Sequence, residues 1–232
     1  MKLFQIFLSS ALALLSWGSS HGAENAALDL DWAKLNAYRS ANAQIRPLAE
    51  GERRVVFMGD SITEFWSKSQ WNSAHINRGI SGQTTPQMLL RFRQDVIDLH
   101  PNIVVILAGT NDVAGNTGPA TNEMIAGNIA SMAQLAQTNG IKVVLASVLP
   151  ASGFYWNPEA RPAQQIVGLN EQIKVMAKRY GCVYLDYFTA MVNADLGLKR
   201  EFSEDGVHPN EAGYITMSKL AENAITATFS AK

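Results

Sequence analysis

Five short apolar runs alternate with longer stretches whose apolar residues recur every three or four positions. The runs are Arg54 to Met58, a weak one around Ile76 to Arg78, Ile103 to Ala108, Lys142 to Val148, and Val183 to Asp186. Val-Val-Ile-Leu-Ala and Val-Val-Leu-Ala-Ser are continuous and rich in β-branched residues, which suits strands buried on both faces of a parallel sheet. Between them, Met124, Ile125, Asn128, Ile129, Met132, Leu135 and Ala136 keep a helical period, and Gly140 supplies a stop. Ile166, Leu169, Ile173, Val175 and Met176 mark another helix. A last helix starts at Pro209, with Met217, Leu220, Ala221, Ala224 and Ile225 on one stripe. Trp32 to Asn42 is read as an extra helix before the first strand. Alternation of this kind predicts a doubly wound α/β sheet with right-handed crossovers.

The first residues follow a different rule. Met1-Lys2 is a short basic start, Leu3 to Leu15 is nearly all apolar, and small residues dominate from Gly18 to Ala23. This is the pattern of a secretory signal peptide, with cleavage near Gly22/Ala23. The apolar run is too short to span a bilayer comfortably. Residues 1–22 are therefore read as a leader and residues 23–232 as a single domain. The mature chain is expected in the periplasm or outside the cell, without a stable membrane anchor.

Composition narrows the function. A chain of 232 residues, 47% hydrophobic and 17% charged, can build one sizeable core. Its formal net charge of -1 offers no polyanion-binding surface, so nucleic acid is not an expected partner. Cys182 is the only cysteine, which excludes an intramolecular disulfide. Its setting, Gly181-Cys182-Val183-Tyr184-Leu185-Asp186, reads as a buried strand, where cysteine acts as a small hydrophobe.

In an open parallel sheet, ligands bind beyond the carboxyl ends of the strands. The polar signatures of this chain fall there. Gly59-Asp60-Ser61 follows the first strand, Gly79-Ile80-Ser81-Gly82-Gln83-Thr84-Thr85 the second, and Gly109-Thr110-Asn111-Asp112 the third. Ser61 is the candidate nucleophile, against the alternative that it caps a helix. Thr63 stands where a Gly-x-Ser-x-Gly elbow would need glycine. Of the histidines after the leader, His100 precedes Pro101 at a helix end and His75 sits in a polar loop. His208 remains as the base. Pro209 suits a first helical position, which puts His208 at the N-cap, where a cation is disfavoured. Asp205 lies three residues earlier, and Gly206 permits a tight turn between them. Asp205 is either the partner of the second imidazole nitrogen or an exposed loop acid.

Donors for an oxyanion are available on the same edge: the Asn111 amide and the backbone N–H groups of Gly82 and Ser61. Taken singly, Gly82 reads as a turn glycine and Asn111 as a loop-capping amide. Phe154, Tyr155 and Trp156 follow the fourth strand. They either bind substrate, by stacking on a sugar or lining an acyl pocket, or cover the sheet end. Trp66 and Trp71 share that ambiguity.

From about Arg54 to the last helix, the chain resembles the SGNH hydrolases, a branch of the GDSL esterase/lipase superfamily. Gly59-Asp60-Ser61-Ile62 looks like the first block of that family, with Ile for the frequent Leu. Gly82 in Ile-Ser-Gly-Gln-Thr-Thr is similar to the second-block glycine. Gly109-Thr110-Asn111-Asp112 looks like the third block, and Asp205-Gly206-Val207-His208-Pro209 like the last. The resemblance implies a three-layer α/β/α flavodoxin-like fold with a five-stranded parallel sheet. It also implies ester hydrolysis without metal or cofactor. Ser61 would be the nucleophile, His208 the base and Asp205 the third member of the triad. Ser61 N–H, Gly82 N–H and the Asn111 side chain would form the oxyanion hole. The layout is similar to catalytic subunits of platelet-activating-factor acetylhydrolase and to bacterial carbohydrate acetylesterases.

The expected substrate is a small-molecule or glycan ester with a short acyl group, acetyl being favoured. No long apolar lid is evident, which argues against long-chain triglycerides. A lysophospholipase or arylesterase would share every one of these residues. A non-catalytic carbohydrate-binding protein would need no serine–histidine pair. A nucleotide-binding flavodoxin-like protein fits poorly, because Asp60 puts an acid where phosphate would sit.

Overall fold

The hydrophobic alternation of the strands sorts their side chains onto two faces. The computed structural model describes residues 31–66 and 75–230, so the leader and Trp71 lie outside it. Strands β1 (Val55–Gly59), β2 (His75–Gly79), β3 (Ile103–Leu107), β4 (Lys142–Ala146) and β5 (Val183–Leu185) each fall within or against a predicted run. They form one parallel sheet in the order β2-β1-β3-β4-β5. The order reverses beside β1, the switch point of a doubly wound sheet.

The described α-helices are α1 (Arg39–Ala43), α2 (Ser61–Glu64), α3 (Thr85–Asp95), α4 (Thr110–Val113), α5 (Asn122–Thr138), α6 (Pro162–Tyr180), α7 (Tyr187–Met191) and α8 (Glu211–Ser230), and two 3-10 turns lie at Ile97–Leu99 and Arg200–Phe202. Val56, Met58, Val104, Ile106, Val143 and Leu145 pack with Met88 and Phe92 of α3, Ile125 and Ile129 of α5, and Ile166 and Leu169 of α6. Val55, Phe57, Ile103, Val105, Val144 and Ala146 pack with Tyr187 of α7 and with Tyr214, Met217 and Ile225 of α8. Successive residues of each strand thus serve opposite cores, as a period of two requires. The result is the three-layer α/β/α arrangement expected from the sequence.

Several local expectations are corrected. Only Arg39–Ala43 of the segment before β1 is α-helical. The residues ahead of it are turns, in which the Asp31 carboxylate accepts from the N–H groups of Leu35 (2.7 Å) and Asn36 (2.9 Å). Cys182 lies just ahead of β5 and is half-buried, and burial pushes its thiol up to about 11. Helix α8 starts at Glu211 rather than Pro209. Asn210 accepts the Gly213 N–H through its side chain (3.1 Å), and asparagine is a strong N-cap residue.

Helix α3 buries Met88 and Phe92 on its apolar stripe, but part of its buried face is charged. Arg91 and Asp95 are completely buried and paired at 3.0 Å. Arg91 also donates to the Gly59 carbonyl (3.0 Å) and to the Gln83 side chain, and Asp95 accepts from Asn42 (2.7 Å). Breaking a buried pair strands an uncompensated charge. Arg91→Leu is therefore expected to cost about 3–5 kcal/mol. Urea denaturation checks this, and a loss below about 1 kcal/mol would contradict it.

Candidate active site

Strand β1 stops where the chemistry begins. Asp60 caps α2 by accepting the Ile62 N–H at 3.0 Å, so Ser61 is the first helical residue and not the cap. The turn is tight against β2. A Cβ on Gly79 would lie 2.2 Å from the Glu64 nitrogen and 2.7 Å from the Asp60 carbonyl oxygen, so only glycine fits there.

The structure brings Ser61, His208 and Asp205 into one hydrogen-bonded chain. Ser61 Oγ is 2.9 Å from His208 Nε2. His208 Nδ1 is 2.7 Å from Asp205 Oδ2. The second oxygen of Asp205 accepts the N–H groups of Val207 (2.9 Å) and His208 (2.8 Å) and the Ser203 hydroxyl (3.1 Å). Burial would raise the Asp205 pKa, but the hydrogen bonds from His208 and from these backbone groups outweigh it and hold it at about 2. An ionised Asp205 can only accept, so Nδ1 carries the proton and the Nε2 lone pair faces Ser61. The turn, and not a helix N-terminus, sets this polarity, since α8 begins three residues beyond His208.

The other histidines are elsewhere. His75 opens β2 instead of lying in a loop. Its ring is buried beside Glu222 at 3.5 Å, and burial pulls its pKa down to about 4. His100 is exposed at the end of a 3-10 turn, as its place before Pro101 suggests.

Gly82 and Asn111 lie on the adjoining loops. Gly82 has φ +76°, a left-handed conformation that excludes most side chains. Crowding is not its reason, since a Cβ there would meet nothing closer than 3.9 Å. Asn111, in α4, donates to the Gln83 carbonyl at 3.1 Å and makes a long 3.4 Å contact to Asp60. Among the described residues, the N–H groups of Ser61 and Gly82 have no acceptor, and both residues line the cleft. These groups floor a cleft of about 230 Å³, walled by Phe65, Ser81, Asn116, Tyr155 and Trp156.

The aromatic segment divides. Tyr155 and Trp156 reach the cleft, whereas Phe154 is a core residue beneath Trp156, their ring centroids 4.9 Å apart. Trp66 is also core, packed on Phe57 and Tyr214. Sequence reasoning missed Phe65, Ser81 and Asn116. Asn116 had a faint signal, a polar residue between Gly115 and Gly118 in the loop that follows the third-strand motif. Phe65 had none, because its position depends on how α2 ends. Among the described residues, no group of three or more His, Cys, Asp or Glu could hold a metal ion. None of their helices is long and apolar enough to cross a membrane.

The GDSL-like Lipase/Acylhydrolase family matches residues 57–214, more than half of the chain and every residue of the Ser61–His208–Asp205 chain. The chain belongs to this family. A putative acylhydrolase from Bacteroides fragilis is 44% identical to it, covering 85% of this chain and 98% of that one, with a TM-score of 0.83. A GDSL-like lipase from Bacteroides thetaiotaomicron is 46% identical, covering 84% and 98%, with a TM-score of 0.81. An acetylxylan esterase from Xylanibacter ruminicola is 27% identical over 174 residues, 64% of this chain and 35% of that protein. The matches span 50%, 35% and 66% of the lengths of the curated relatives.

Within this GDSL-like site, Asp60 carries a testable electrostatic signature. Burial raises its carboxyl from 3.8 to about 7. A raised acid binds more protons folded than unfolded, so its contribution is full below pH 3.8 and is lost as pH rises through about 7. Asp60→Asn is expected to keep the cap and to flatten the decline in stability between those limits. Chemical denaturation of both proteins across this range is the check. Identical slopes would rule the assignment out.

Proposed function

We propose that this chain is an exported serine ester hydrolase that removes short acyl groups, acetyl above all, from a small-molecule or glycan ester. The observation that carries the reading is the 2.9 Å contact of Ser61 Oγ with His208 Nε2, beside open N–H donors. Ser61 attacks the ester carbonyl while His208 takes its proton. The carbonyl oxygen becomes an oxyanion, held by Ser61 N–H, Gly82 N–H and the Asn111 amide. Asp205 stabilises the imidazolium. His208 then gives its proton to the leaving alcohol, and the C–O bond breaks to leave an acyl-serine. Water, deprotonated by His208, attacks that ester, and the imidazolium returns the proton to Ser61 Oγ as the acyl C–Oγ bond breaks, which releases the acid and restores the free enzyme.

A cleft of about 230 Å³ supports a short acyl group, and the exposed rings of Tyr155 and Trp156 suit the apolar face of a sugar. The likeness to an acetylxylan esterase favours the same choice. Export rests on the leader pattern of residues 1–22.

Ser61→Ala is expected to fold normally, to lose turnover and to escape labelling by a fluorophosphonate. Wild-type protein that the probe fails to label would favour a non-catalytic carbohydrate-binding role. Asn111→Ala should lower kcat by roughly 10²–10³, the usual cost of one oxyanion donor. Acid release measured on acetylated xylan, on lysophosphatidylcholine and on esters of increasing chain length should be greatest for acetyl. A preference for the lysophospholipid would overturn the substrate assignment.

A further inference from the structure

We infer that Asn116 is a positioning residue, which passes a hydrogen-bond polarity from the indole of Trp156 to the Asn111 amide and so orients the oxyanion site. The inference rests on the ester-hydrolase reading above.

An amide side chain can be turned either way round, and the two ends look alike in shape. For Asn111 the difference is decisive. One orientation offers an N–H to a developing oxyanion, and the other offers a carbonyl oxygen that repels it. The Gln83 carbonyl, which can only accept, takes the Asn111 nitrogen on one side, and the partners of Asn116 fix the same orientation from the other. The Trp156 indole nitrogen can only donate, and it lies 3.0 Å from Asn116 Oδ1. The Gly82 carbonyl can only accept, and it lies 3.2 Å from Asn116 Nδ2. These two groups of fixed polarity leave Asn116 one satisfied orientation. Its Nδ2 then also donates to Asn111 Oδ1 at 2.9 Å. The oxygen of Asn111 is held toward Asn116, and its nitrogen is turned toward Gln83 and Asp60.

Three parts of the site meet at this one side chain. Asn116 holds the Gly82 carbonyl, and with it the conformation of a residue whose positive φ leaves its peptide easily turned. It holds the amide of Asn111. It is held in turn by Trp156, whose ring centroid lies 6.3 Å from that of His208, the residue that protonates the leaving alcohol in the proposed reaction. Asn116 is exposed at the cleft mouth. An alcohol resting on Trp156 would screen these hydrogen bonds from water and strengthen them. The relay thus couples occupancy of the leaving-group side to order in the oxyanion site.

The test is a mutant cycle read in kcat and KM on p-nitrophenyl acetate, with thermal melting as a fold control. Asn116→Ala is expected to lower kcat about tenfold and to change KM by less than about twofold, the signature of an interaction felt in the transition state. Trp156→Phe keeps a ring but removes the N–H donor, and should lower kcat about threefold. In an Asn111→Ala background, Asn116→Ala should cost less than about twofold, because the group it orients is gone. A full tenfold loss in that background would overturn the relay. So would a change confined to KM, or a Trp156→Phe variant with wild-type kcat. If Asn116→Ala fails to fold, the Trp156→Phe and Asn111→Ala cycle decides alone. Wild-type protein without esterase activity would end the parent reading and this inference together. An active wild type with additive losses would end only the relay.

Discussion

A cation that cannot reach water governs the geometry of the cleft. Arg91 is fully buried in α3, and desolvating a guanidinium is costly unless its donors are met. The groups that meet them come from separate elements: Asp95 one turn along the same helix, the Gln83 side chain after β2, and the Gly59 carbonyl at the end of β1. Gly59 immediately precedes Asp60 and Ser61, and Gln83 immediately follows Gly82. The segment bearing the hydroxyl and the segment bearing an open backbone donor are therefore pinned to one buried charge. Gln83 also donates to the Ala33 carbonyl and Gln87 to that of Trp32, which draws the segment ahead of β1 into the same support.

On that support, each polar group of the site has one role because of what surrounds it. Three carboxylates lie close to the cleft, and burial and partners separate them. Asp205 is exposed and amply hydrogen-bonded, so it stays ionised and sets the imidazole tautomer. Asp60 is buried with few donors, and its carboxyl is raised. Asp112 is raised chiefly by burial although Thr85 donates to it through both N–H and hydroxyl, and it locks the start of α3 to the loop after β3. Only Asp205 faces the histidine, so only it can serve as that ring's partner.

The strands were plain in the sequence because a strand buried on both faces needs an uninterrupted apolar run, and few other structures do. Val104, Val105 and Ile106 announce themselves without knowing their neighbours. Ser61, Gly82, Asn111, Asp205 and His208 could be nominated because they stand at strand ends or in a glycine-bearing turn. Helix α3 keeps Met88 and Phe92 four residues apart, yet its buried face also carries Arg91 and Asp95, whose burial no apolar period signals. Phe154 and Trp156 are two positions apart in one loop, yet one is core and the other lines the cleft. No local rule separates them, since the loop's path depends on contacts such as Trp156 with Asn116 and Asn157 with Ala114.

The amino-acid order by itself determined the layered α/β architecture and the kinds of group gathered at one sheet edge. Both follow from local periodicity and from the position of polar residues at strand ends. Only the tertiary structure decided that His208 takes its polarity from Asp205 and not from a helix terminus, that His75 is buried, and that Asn116 stands between Trp156 and Asn111. Those outcomes depend on distances of about 3 Å between residues far apart in the chain or across an irregular loop. Such distances are set by how helices and turns pack over the sheet, which no short window of sequence encodes.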